Sequence, residues 1–489
     1  METMKNVLWI CADDLAIDVI GCYGGRVART PNIDHLATEG LTFDAAFANA
    51  PLSTPSRQAF WTGRHPRSIG VTRTPTPLPR EERTLPELLR EKGVFTASFG
   101  KTHYYAPRTW DYDRCVNHKN HEHWIDKNDW CPPVETGGPV LGPWRPFVDP
   151  GRIWLNADCL PCHAEDEAML DTFYARRAAA FLVNDLPADL PAFTYVSFSA
   201  NHSPFRFPIE FRDRVRPDGI DVPDVPPVER ALLPPVFAEL SEADIRGIIA
   251  AHCTATEHLD KNIGLVLDAL EQSGQAEDTL VIFTTDHGYM LGEHGRFEKH
   301  CLYEQAIRTA LILRHDSLSR GARSSALVQL FDLMPFILQN FGVEVPQNVQ
   351  ARQDFGQIVL RPDSKFRDEV FIEHAESAEA CVRTRTHKLC FRGSNWMRMD
   401  GYAGQRSPPL RVQLFDLAVD PNEHRDLACD PGHKALRDDL LERLYQHLIK
   451  TLRFTHFADP QGQSKLAHLS QLVRPAEWLG SVRGGSRPS

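Results

Sequence analysis

Asp13 and Asp14 close an apolar run near the start of the chain, and Asp286 and His287 close another far downstream. Three carboxylates and an imidazole form a largely hard ligand set suited to Ca²⁺, Mg²⁺ or Mn²⁺, and the lack of thiolates disfavours a structural zinc site. Lys101 and His103 follow a third β-like run, and His202 follows a fourth. The remaining piece is Ser53-Thr54-Pro55-Ser56-Arg57, which leads into a helical pattern over residues 58–62. Pro55 suits a first helical turn, so Ser53 is expected just before the helix N-terminus, where free N–H groups and the macrodipole favour an anion. A hydroxyl there would face a metal and a phosphate- or sulfate-sized ligand together. Each piece alone has a plainer reading: acidic pairs at strand ends often cap helices, Asp-His-Gly is common in turns, and Ser53 by itself reads as an N-cap.

The elements behind these residues argue against the plainer readings. Strands are predicted over residues 6–11, 95–99, 192–199, 280–285 and 310–313, alternating with helical patterns, as in a doubly wound α/β sheet. Leu259, Ile263, Val266 and Leu270 give residues 242–274 a helical period. In open α/β sheets ligands bind outside the carboxyl ends of the strands, and four of these strands each deliver charged or imidazole groups to that edge. Residues 109–166 lose periodicity amid Trp, His, Pro and Gly and read as an insertion that walls the pocket. Past residue 362 the texture changes to short strands at 369–373, 380–391 and 412–417. A helix over 433–452 follows, with Leu436, Leu440, Leu444 and Leu448 along one face. The expected organisation is therefore a large α/β domain over 1–362 and a smaller α+β domain over 363–489, with a frayed tail from 483 onward.

Composition narrows the function classes. Across 489 residues, 54 Lys+Arg stand against 65 Asp+Glu, a formal net charge of -11. That balance argues against general nucleic-acid or anionic-membrane binding, though a local cationic cluster can still serve an anionic substrate. The 11 cysteines are scattered and odd in number, which fits reduced thiols. Cys159 and Cys162, followed by His163, lack a second ligand pair and read as structural or surface residues. The N-terminus runs straight into a strand without a signal-like segment, so a cytoplasmic location is expected, or a periplasmic one if a signal has been trimmed.

Several motifs now combine. The chain resembles the sulfatases of the alkaline phosphatase superfamily across nearly its whole length. Ser53-Thr54-Pro55-Ser56-Arg57 matches the family's S/C-x-P-S-R, with Thr62-Gly63-Arg64-His65-Pro66 after it. Gly100-Lys101-Thr102-His103 matches G-K-x-H, and Asn201-His202-Ser203-Pro204-Phe205 resembles the histidine loop. Asp286-His287-Gly288 with Leu291-Gly292-Glu293-His294-Gly295 and Lys299 resembles the second metal half-site and its lysine. Leu414-Phe415-Asp416-Leu417 with Asp420-Pro421-Asn422-Glu423 resembles the C-terminal signature.

The resemblance implies an alkaline-phosphatase-like mixed sheet flanked by helices, and a particular chemistry. Ser53 matches the serine class, oxidised to formylglycine by a radical iron–sulfur maturation enzyme. One hydroxyl of the hydrated aldehyde would attack sulfur, and the other would later expel sulfate. Asp13, Asp14, Asp286 and His287 would hold a divalent cation, Ca²⁺ by resemblance, with the Ser53 derivative completing its shell. Arg57 and Lys101 would orient the hydrate, Lys299 would stabilise the sulfuryl oxygens, and His103 and His202 would contact the sulfate. His202 would protonate the leaving alcohol. The implied substrate is a small-molecule or oligosaccharide sulfate ester; oligomeric state is not readable. The rival within the superfamily is a phosphonate monoester hydrolase or phosphodiesterase, which carries uncharged polar groups where Lys101 and His103 stand. More distant rivals are an unmodified serine nucleophile for phosphoryl transfer and an inactive protein that binds sulfated ligands.

Overall fold

A computed structural model of the protein describes residues 4–105, 108–128, 155–158, 165–230, 233–393, 410–453, 458–460 and 462–476. Eight strands form the main sheet: β1 (Asn6–Ala12), β2 (Leu41–Phe43), β3 (Phe95–Gly100), β4 (Arg114–Val116), β5 (Ala192–Ser197), β6 (Thr279–Thr285), β7 (Leu311–Arg314) and β8 (Ala322–Ser324). Their order is β8-β2-β7-β6-β1-β5-β3-β4. The run from β6 to β4 is parallel, whereas β7 lies antiparallel to both β6 and β2. β1 is apolar at nearly every position because both of its faces are covered. Leu8 and Ile10 point into one core with Phe173, Ile263 and Val266, while Val7 and Trp9 point into the opposite core with Phe60, Trp61 and Leu333. The layers are supplied by helices α1 (Ser53–Thr62), α2 (His118–Lys127), α3 (Leu170–Asn184), α4 (Glu242–Gln272) and α5 (Leu333–Asn340).

Beside this sheet stands a second, antiparallel one: β9 (Glu369–His374), β10 (Glu379–Thr384), β11 (His387–Arg392) and β12 (Arg411–Asp416). Helices α6 (Lys434–Lys450) and α7 (Lys465–Leu472) cover it and share a core with Leu389, Leu414, Leu440, Leu444 and Leu448. The single strand expected over 380–391 is two strands. They turn at Arg385 and Thr386, a tight hairpin without the Gly or Asn that usually announces one. A fully buried Arg67 donates to Glu373 at 2.7 Å, joining the two sheets' territories.

The expectation for 109–166 is partly overturned. Arg114–Val116 is the edge strand of the main sheet, and α2 packs on α3 through Trp124 and Phe173, ring centroids 5.4 Å apart. A three-residue strand and a helix with only two large apolar residues leave little periodicity to detect. Residues 129–154 and 159–164, with Cys159, Cys162 and His163, lie outside the described residues, as does the tail from 483. The eight cysteines among the described residues form no disulfide. Among the described residues no helix is long and apolar enough to cross a membrane.

Candidate active site

β6, β1, β5 and β3 are consecutive in the sheet and parallel, so their carboxyl ends open on one edge. Asp286–His287, Asp13–Asp14, the loop carrying His202, and Lys101–His103 follow those four ends in that order. Gly100 makes the last of these exits possible. Its φ is +109°, and an added Cβ would sit 1.9 Å from the Ser197 carbonyl oxygen.

α1 begins at Ser53 itself, not after it; Leu52 is the cap, and its side chain makes no capping bond. Ser53 is therefore not an N-cap. Its hydroxyl, 3 % exposed, donates to Asp13 Oδ1 at 2.9 Å and lies 3.1 Å from His287 Nε2. An aromatic wedge holds the helix in place. Trp9 of β1 meets Phe60 at 4.9 Å, Trp61 meets Tyr195 of β5 at 4.7 Å, and such pairs contribute roughly 0.5–1.5 kcal/mol each beyond their burial.

Asp13, Asp14, Asp286 and His287 are all fully buried, with a ligand atom of each within 4.8 Å of the others. His287 donates its Nδ1–H to the Gly288 carbonyl at 2.8 Å, so in the neutral ring Nε2 is a lone pair. That lone pair lies 3.2 Å from Asp14 Oδ1, a buried oxygen that no donor among the described residues satisfies. Two facing lone pairs, with further carboxylates around them, need a cation between them. The residues present thus fit a divalent metal.

Arg57 is wholly buried beneath this cluster. Its Nε donates to Asp286 Oδ2 at 2.9 Å, and its other nitrogens reach Asp13, the Lys101 carbonyl, Tyr195 Oη and Ser197 Oγ. Lys101 donates to Asp13 Oδ2 and Lys299 to Asp14 Oδ2. Burial alone would raise both carboxyl pKa values. Lys101 and Arg57 reverse this at Asp13, and Lys299 and His202 at Asp14, holding both groups ionised. His202 Nδ1 donates to the Ser203 carbonyl at 2.6 Å, and Nε2 lies 3.9 Å from Asp14 Oδ2. Desolvation by the cleft walls, then the Lys299 charge, pull its pKa below the ordinary value. His103, at φ +62°, contacts the Tyr105 hydroxyl through Nε2 at 2.8 Å and leaves Nδ1 without a partner. Desolvation, then Lys101, hold it well below the usual histidine range.

The structure therefore brings together every site residue singled out from the sequence. It also adds residues that the motifs did not show. Tyr195 and Ser197 accept from Arg57, and Asp171 of α3 accepts from the Ser199 and Ala200 N–H groups at 2.7 Å, fixing the loop that carries His202. His252 of α4 lies with Nε2 3.2 Å from the Asp14 carbonyl, and burial lowers its pKa to about 4. Polar residues inside otherwise apolar buried elements were the available signal for Tyr195, Ser197 and His252.

The family model described as Sulfatase matches residues 5–343, well over half of the chain. The chain belongs to the sulfatase family. A second model, N-sulphoglucosamine sulphohydrolase, C-terminal, matches residues 292–450 of this sulfatase. An N-acetylglucosamine-6-O-sulfatase of Bacteroides thetaiotaomicron is 27% identical to it over 412 residues, 72% of this chain and 70% of that one. An ulvan-active sulfatase of Formosa agariphila is 24% identical, covering 92% and 82%. Among solved structures, a phosphonate monoester hydrolase from Silicibacter pomeroyi superposes with a TM-score of 0.74 at 21% identity, over 92% of this sulfatase and 96% of that chain, and shares its fold.

Proposed function

We propose that this sulfatase hydrolyses sulfate monoesters at the cleft built around Ser53, with a divalent cation, Ca²⁺ by preference, held by Asp13, Asp14, Asp286 and His287. The observation that carries the reading is the convergence of Ser53 Oγ, His287 Nε2 and the unsatisfied Asp14 oxygen on one buried point, ringed by Arg57, Lys101 and Lys299. Three carboxylates face three permanent cations there, so the cleft is near neutral until the divalent ion is bound and then attracts an anion. The bound ion supplies a Lewis acid that lowers the pKa of a coordinated hydroxyl and polarises the sulfuryl oxygens.

The chain's own residues do the rest. Ser53 would be the precursor of formylglycine, whose hydrate would supply two hydroxyls on one carbon: one to attack sulfur as the bond to the alcohol oxygen breaks, and a second whose deprotonation would re-form the aldehyde as sulfate leaves. A plain serine lacks the second and would remain sulfated. Arg57 is locked by its acceptors and fixes the Ser53 turn. Lys101 and Lys299, which here donate to Asp13 and Asp14, would hold the hydrate and the sulfuryl oxygens respectively once those carboxylates are engaged by a cation. His103 Nδ1 is an unused donor or acceptor for the sulfate. His202, half-exposed at the mouth, is placed to hand a proton from Nε2 to the leaving alcohol once the ring is protonated, which the negative charge of an entering sulfate ester favours against the pull of Lys299. A general acid contributes about 10²–10⁴ in rate. The names of the two relatives point to a sulfated sugar as the alcohol half.

The test is turnover of an aryl sulfate against an aryl phosphonate monoester by protein co-produced with a radical iron–sulfur maturation enzyme. Sulfate turnover that is abolished by chelation and restored by Ca²⁺, Mg²⁺ or Mn²⁺ supports the reading. A preference for the phosphonate would transfer the site to the rival chemistry.

A further inference from the structure

Lys388 is fully buried, yet it makes no contact with the metal cluster or the serine turn. Its Nζ lies 2.5 Å from the Glu423 carboxylate and donates to the Leu302 carbonyl at 2.8 Å and to Glu304 Oε1 at 3.3 Å. The same Glu423 carboxylate, also fully buried and held at φ +57°, accepts the Glu304 backbone N–H at 2.7 Å. Arg383 adds a contact to Glu304 at 3.3 Å. Burial alone would strip the proton from Lys388; Glu423 and then Glu304 reverse this and keep it charged. Lys388 belongs to β11, and Glu423 to the turn that follows β12. Leu302 and Glu304 belong to the segment that carries Lys299. A buried charge cluster is therefore spent on fastening that segment to the C-terminal sheet, where apolar packing would have been the less costly solution.

The fastened segment has a second anchor upstream. Met290 pairs with Glu298 and Leu291 with Phe297 in a short hairpin that returns the chain from Asp286–His287 toward Lys299. Lys299 sits between the two anchors, 7 % exposed, with its ammonium on Asp14. We propose that Lys388 and Glu423 are positioning residues that set the place of Lys299 in the active site. This gives the Asp420-Pro421-Asn422-Glu423 signature a role in turnover as well as in stability. The proposal rests on the reading of Lys299 as the group that meets the sulfuryl oxygens.

The experiment is a double-mutant cycle of Glu423→Gln with Lys299→Ala on the full, matured chain, joined to backbone hydrogen exchange of residues 299–304. Glu423→Gln keeps an acceptor for the Glu304 N–H and removes the charge that faces Lys388. The expected result is a fall in kcat of about 10-fold or more with KM within about twofold, since a misplacement near 1 Å can cost about 10² in rate. In the Lys299→Ala background the same change should alter kcat less than about twofold. Lys388→Arg should recover part of what Lys388→Met loses, and exchange in 299–304 should rise in Lys388→Met. Equal losses with and without Lys299, or unchanged exchange across the segment, would overturn the proposal. A wild type that turns over no sulfate ester would refute the functional reading, while the exchange measurement would still decide this one.

Discussion

Arg57 shows how the site's charges and its stability are tied together. Its guanidinium is fully buried against Asp286 and Asp13, so replacing it leaves uncompensated carboxylates in the interior, and breaking a pair of this kind costs about 3–5 kcal/mol. Arg57→Leu should therefore lose both turnover and several degrees of Tm, read by calorimetry. Lys101 is different: part of its side chain reaches solvent, and its partner Asp13 keeps Arg57 when it is removed. Lys101→Ala is expected to leave Tm within a few degrees and to lower kcat/KM for a sulfate ester by about 10²-fold, the typical scale for losing one preorganised electrostatic group. Full-rate turnover by this variant would contradict the role given to Lys101. At this scale the sequence was most informative. Ser53, Arg57, Lys101 and Asp286 are recognisable because the proposed chemistry demands those side chains. Asp171 escaped because a carboxylate in the first turn of α3 looks the same in sequence whether it faces solvent or the loop that carries His202. For His252 the one signal, an imidazole in an apolar stretch of α4, does not say that it faces the Asp14 carbonyl.

Among the elements, the four neighbouring parallel strands are what turn scattered motifs into a site. Their apolar runs made them legible, and so did the long period of α4. The two strands beyond β7 at that end of the sheet were not read from the sequence: β2 and β8 are three residues each, too short to carry a pattern, and they form because β2 pairs with β7 and β8 in turn pairs with β2. The hairpin between β10 and β11 was missed for want of a turn residue. Gly100 tests the importance of the exit from β3. Gly100→Ala would force a side chain onto the Ser197 carbonyl in a left-handed conformation, so it should destabilise the fold and displace Lys101. The expected readout is a lower Tm together with a loss of turnover larger than that of Lys101→Ala. Wild-type Tm and activity in Gly100→Ala would show that the turn does not set the site.

For the whole molecule, the junction between the two sheets carries buried imidazoles. His65 follows the α1 motif and meets His447 of α6 with ring centroids 4.6 Å apart, and His447 stacks on Phe371 of β9. Desolvation, then Arg367, lower the His65 pKa to about 3, so the folded protein holds it neutral while the unfolded chain titrates near its ordinary value of about 6.5. Below that value the unfolded state binds the extra proton, so stability is complete above about pH 6.5 and falls as pH drops toward 3. At pH 5 the loss from His65 alone is about 2 kcal/mol. A melting series from pH 8 to 5 should show Tm falling, and His65→Gln should flatten the slope. Removal of the divalent ion should act in the same direction at constant pH, since a ligand at about 100 times its Kd adds roughly 2.7 kcal/mol to the folded state. The C-terminal sheet was foreseen from the change of texture after residue 362, but its junction with the catalytic sheet depends on partners far apart in sequence, such as Arg67 with Glu373, which no local pattern reveals.

The most direct measurement is the mass of the peptide containing Ser53, taken from protein made with the serine-type maturation enzyme and assayed for sulfate-ester turnover in the same preparation. Loss of two hydrogens at Ser53, in proportion to activity, is the expected result. An unmodified Ser53 in protein that still turns over sulfate esters repeatedly would contradict it.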